Sequence, residues 1–80
     1  MKLKDAIVQR IYDLCQDRDI TINKLCTICG ITQSTLNSII NSGSKRPTVA
    51  TIKKICDGLE IRLADFFASE YFDNLDQEWE

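Results

Sequence analysis

Apolar residues recur at three- and four-residue steps along almost the whole chain, and no segment alternates apolar with polar as a half-buried strand would. Leu3, Ile7, Val8, Ile11, Leu14 and Cys15 form the first stripe, predicting an amphipathic helix to about Asp17 with its other face charged and solvated. Thr21 offers a capping hydroxyl for a short second helix, with Leu25 and Cys26 plus Ile22 or Ile28 inward, and Gly30 supplies the left-handed residue that stops it. Thr32 caps a third helix that turns Leu36, Ile39 and Ile40 inward and leaves Gln33, Ser34, Asn37, Ser38 and Asn41 outside. Residues 41–47 read as a loop by composition, with Pro47 fixing its exit. Thr48 caps a fourth helix carrying Val49, Ile52, Ile55, Cys56 and Leu59 inward. A turn at Glu60 leads to a short fifth helix holding Ile61, Leu63, Phe66 and Phe67. The expected fold is all-α, five helices in one domain over residues 1–68, with an appendage over 69–80.

A chain of 80 residues supports one core, because at that size only about 60% of the unfolded surface is buried. Hydrophobic residues at 44% and charged residues at 28% belong to an ordinary globular domain. No apolar run approaches the roughly 18 residues of a membrane span, and the first five residues lack a signal peptide's apolar stretch, so a cytoplasmic protein without membrane contact is expected. Cys26 and Cys29 lie at C-x-x-C spacing, but within helical periodicity and without a second pair or a histidine to complete a zinc set. The four cysteines, Cys15, Cys26, Cys29 and Cys56, therefore read as small buried apolar residues, and no metal or cofactor is expected. Without histidine, a metal cluster or a glycine-rich phosphate loop, nothing points to an enzyme.

The formal net charge of -2 hides a strong partition. Residues 20–56 carry Lys24, Lys45, Arg46, Lys53 and Lys54 and no acid, whereas residues 57–80 carry Arg62 alone against eight acids. An acid-free basic stretch around an exposed polar helix suits a polyanion, and a helix about 10 Å wide fits a major groove about 12 Å across. Gln33 is the best base reader, since its amide pairs bidentately with adenine N6 and N7, and Ser34, Asn37 and Ser38 add shorter polar groups. Thr21, Thr32, Asn41, Lys45 and Arg46 fall where phosphates would run. Lys53 and Lys54 read instead as the exposed face of the fourth helix.

Residues 21–40, with the glycine ending the second helix, the Ile31-Thr32 step, the Gln33-Ser34-Thr35 opening, the Ser44-Lys45-Arg46-Pro47 loop and the closing Leu63-Ala64-Asp65-Phe66-Phe67, resemble the helix-turn-helix of the lambdoid repressor and Cro family. The resemblance covers roughly residues 5–67. It implies a transcriptional regulator, most often a repressor, that binds double-stranded DNA, and it turns Gln33, Ser34, Asn37 and Ser38 toward the groove. The sequence departs from the family at three positions. Ile22 stands where many members have a phosphate-touching glutamine, Ser38 where many have arginine or lysine, and Glu60 where a turn glycine is usual. A side chain held at positive φ there costs about 1 kcal/mol.

Five of the six aromatics fall in the last fifteen residues, more than one small core accommodates. Phe67, Tyr71, Phe72, Leu75 and Trp79 are therefore expected either to fold back on their own domain as a short extra helix or to meet the same stripe of a second copy. The family resemblance favours the homodimer, which would set two third helices about 34 Å apart on a palindromic site. The competing class is a protein-interaction module that keeps the fold without binding DNA, which the neutral third helix and acidic tail permit.

Overall fold

The computed structural model describes residues 1–42 and 47–77. The described residues form five α-helices and no strand: α1 Leu3–Asp17, α2 Ile22–Cys29, α3 Gln33–Asn37, α4 Val49–Leu59 and α5 Leu63–Phe66. The expected all-α, five-helix architecture is the observed one. No described helix is long and apolar enough to cross a membrane.

The apolar stripes close on one core. Ile7, Ile11 and Leu14 of α1, Leu25 of α2, Leu36 of α3, Ile52, Ile55 and Leu59 of α4 and Phe66 of α5 belong to a single buried cluster. Each such side chain contributes roughly 1.5–3 kcal/mol by leaving water, so together they hold the short helices that could not stand alone. No polar or charged residue is buried among the described ones.

Three of the helices end in the same way. The carbonyls of Cys15, Cys26 and Cys56 accept the backbone N–H of Ile20, Ile31 and Ile61 at 3.0, 3.0 and 2.9 Å, and the residue before each isoleucine is left-handed. These left-handed residues are Asp19 (φ 54°), Gly30 (φ 68°) and Glu60 (φ 58°). This six-to-one bond closes a Schellman-type end, in which the last-turn residue and the residue after the cap pack together. Cysteine fits that last-turn position because it is small and apolar, and burial pushes all three thiols above their usual range. Glu60 thus takes the conformation expected of it, while Asp19 is a second side-chain residue at positive φ.

Helices α2 and α4 touch more closely than side chains normally allow. A methyl group added at Gly58 would lie 2.9 Å from Cα of Cys29 and 2.5 Å from its sulfur, so only glycine fits this crossing. Cys29 Sγ donates to the Ile55 carbonyl at 3.6 Å, and burial raises this thiol to about 11.

The tail folds back in cis as far as it is described. Phe72 packs edge-on to Phe67 with centroids 5.0 Å apart and lies 6.3 Å from Phe66, while Tyr71 donates its hydroxyl hydrogen to Asp13 Oδ2 at 2.7 Å. That bond also raises the Tyr71 phenol above its usual range. The Asp76 backbone N–H donates to the Met1 carbonyl at 3.0 Å. The extra helix expected from the spacing of 71, 72, 75 and 79 is in fact one 3-10 turn, Glu70–Asp73, capped by Ser69. Asn74 ends it by returning its amide to the Glu70 carbonyl at 3.3 Å, a local bond that competes with helix continuation. Leu75 follows outside the turn, half-buried, and Trp79 lies outside the described residues.

The face of α1 away from the core stripe is also less solvated than its charges suggest. Arg10 is half-buried and donates from Nε to the Phe66 carbonyl at 2.7 Å and from Nη2 to the Asp65 carbonyl at 2.8 Å. It thereby satisfies carbonyls at the end of α5 that the four-residue helix leaves open.

Candidate nucleic-acid interface

The site is built from two helix starts and the turn between them. At α2 the Thr21 hydroxyl accepts the Lys24 N–H at 3.0 Å, and Thr21 is exposed. After Gly30, the buried Ile31 anchors the turn and Thr32 caps α3, accepting the Thr35 N–H at 3.1 Å. The Thr32 hydroxyl also donates to Thr35 Oγ1 at 2.8 Å, so its hydrogen is used within the cap. Thr48 caps α4 by the same Thr-x-x-Thr device, accepting the Thr51 N–H at 3.1 Å. The 32/35 and 48/51 spacing was visible as a relative of the capping box, and it identifies Thr35, which the sequence reading had not singled out.

Leu36 and Ile39 are 0% and 1% exposed and seat α3 on the core. Gln33, Ser34 and Asn37 stand on its outer side, exposed, and the side chains of Gln33 and Ser34 make no hydrogen bond among the described residues. Past Asn37 the helix widens into a π turn, Ser38–Ser42. Ser38 is half-buried there, whereas Asn41 remains exposed and donates from Nδ2 to Asn37 Oδ1 at 3.4 Å. The structure thus brings Thr21, Thr32, Gln33, Ser34, Asn37 and Asn41 onto exposed surface, with Ser38 less open than expected. Lys45 and Arg46 lie outside the described residues. Lys53 pairs with Asp57 along the exposed side of α4.

A capped, acid-free surface with an outward polar helix after a tight left-handed turn is the arrangement that a helix-turn-helix uses to enter a groove. The family model of the Cro/C1-type HTH DNA-binding domain matches residues 10–70. The chain belongs to this family. The crystal structure of the prophage Lp1 protein 11 is similar to this Cro/C1-type chain at 34% identity with a TM-score of 0.81, over 94% of this chain and 100% of that one. Among curated proteins none matches. The matched residues of this Cro/C1-type domain take in α2 to α5 and the second half of α1.

Proposed function

We propose that this Cro/C1-type domain is a sequence-specific double-stranded DNA binder that regulates transcription, acting as a repressor by occupying its site. The observation that carries the reading is that Gln33 and Ser34, exposed at the start of α3, have no hydrogen bond among the described residues, on a stretch without a single acid from residue 20 to 56. Inserted in the major groove, Gln33 reads adenine through its amide, Ser34 and Asn37 contact neighbouring bases, and Ser38 lies at the edge of that set. The exposed Thr21 hydroxyl meets a phosphate, and Lys45 and Arg46 supply the electrostatic grip. Acids concentrated in residues 57–80 keep that part of the chain away from phosphates.

The reading includes a homodimer, since one five-residue helix reads too few base pairs to select a site, and a two-fold pair doubles the reading. The surface for it is the tail with the adjoining side of α1, where Phe67, Tyr71, Phe72 and Leu75 are half-buried and Tyr12 is 42% exposed. A chain that sediments as a monomer at concentrations saturating its DNA refutes the two-fold arrangement.

The decisive experiment is a titration of duplex DNA across salt concentrations. Neutralising three or four phosphates gives log K against log salt a slope of about -3 to -4. Salt-independent binding, or no binding at about 50 mM salt, leaves the interaction-module alternative in possession of the fold.

A further inference from the structure

Asn37 and Asn41 are both exposed on the groove side of the helix-turn-helix, yet they are joined, Asn41 Nδ2 donating to Asn37 Oδ1 at 3.4 Å. They are four residues apart, the spacing at which side chains are neighbours on a helix, as Gln9 and Asp13 are in α1, and Asn41 lies in the π turn Ser38–Ser42. Such turns are frequent at functional sites.

An unrestrained asparagine offers a base either its oxygen or its nitrogen, because the amide turns over at little cost. The Asn37 side chain also has several rotamers, and the contact with Asn41 holds it in one of them. We propose that Asn41 is a positioning residue for Asn37, holding its side chain so that the amide meets one base pair. Asn41 then acts through Asn37 and does not grip a phosphate. This inference rests on the DNA-binding reading above.

The test starts by selecting duplexes with the full chain from a library with a randomised core. Affinity for the selected duplex and for an unselected mixed-sequence duplex is then measured for the wild type, Asn37→Ala, Asn41→Ala and the double variant. Each single substitution is expected to lower the ratio of the two affinities by about three- to tenfold, the double by no more than Asn37→Ala alone. Affinity for the unselected duplex should stay within about twofold, since no phosphate contact is lost. Repeating the selection with Asn41→Ala should relax the same base pair that Asn37→Ala relaxes. Equal loss on both duplexes, additive with Asn37→Ala, assigns Asn41 to a phosphate and overturns the inference. So does an Asn41→Ala chain that discriminates as the wild type does. A wild type that binds no duplex overturns the DNA reading itself, and this inference with it.

Discussion

The two sides of this small domain use their polar groups in opposite ways. On the side made by α1, α5 and the tail, polar side chains are committed to the fold. Arg10 closes the end of α5, Tyr71 binds Asp13, and Asp65 takes both the Arg62 backbone and its guanidinium, bonds that hold the Asp65 carboxyl below its usual range. On the side made by α2 and α3, threonines close the helix starts and then the chain leaves Gln33 and Ser34 unengaged. A helix of five residues has no stability of its own, so α3 is held almost wholly by Leu36 and Ile39 beneath it. The difference teaches that recognition here rests on a thin polar layer whose cost in stability is small, carried by a core that other residues supply.

The largest effect is expected where the committed side is anchored. Phe66 is 0% exposed and is the ring on which Phe67 and Phe72 stack. Phe66→Ala should cost about 3–5 kcal/mol in chemical unfolding, because the cavity loses ring contacts on two sides. A loss under about 1 kcal/mol would mean that the aromatic trio is not what holds α5 and the tail.

The seam between the two sides comes next. In an exposed helix interior alanine is favoured over glycine by about 1 kcal/mol, so Gly58→Ala ought to stabilise α4 if only propensity counted. The 2.9 Å approach to Cys29 Cα reverses that sign, and a net loss of about 1–3 kcal/mol is expected as α2 is pushed from α4. Because α2 carries the turn into α3, DNA affinity should fall with it. A more stable variant would show that the helices separate at no cost.

Glu60→Gly should move stability the other way. Glu60 and Gly30 close the same backbone bond at φ 58° and 68°, yet only Glu60 carries a side chain that disfavours that conformation. Relief of the strain should raise the unfolding free energy by roughly 0.5–1 kcal/mol. An unchanged melting midpoint would show that the glutamate is tolerated there as well as glycine.

How much of this was legible beforehand follows the range of each interaction. The helices, their threonine caps, the Gly30 stop and the positive φ at Glu60 are local, and they were readable from spacing and residue type. The common helix end was also present as an isoleucine five residues after Cys15, Cys26 and Cys56, although the cysteines drew attention first as possible ligands. Arg10 was not legible, because its partners lie 55 and 56 residues away. The tail's choice between its own domain and a second copy depends on tertiary packing that its helical spacing does not specify. The π turn has no proline or glycine within it to announce it, whereas the pairing of Asn37 and Asn41 follows the four-residue spacing of helix neighbours.

The smallest effect on stability is expected at Gln33, and that is what makes it informative. The side chain is exposed and makes no hydrogen bond among the described residues, so Gln33→Ala should change the unfolding free energy by no more than about 0.5 kcal/mol. Discrimination between a selected duplex and mixed-sequence DNA should nevertheless fall by roughly 1–3 kcal/mol, because a bidentate amide contact to adenine is lost while the phosphate grip remains. The two measurements pull apart only if the polar layer of α3 is independent of the core under it. A substitution that unfolds the domain places Gln33 in the fold instead. One that weakens selected and mixed duplexes equally makes it a backbone contact, and Ser34 or Asn37 would then have to carry the reading of sequence.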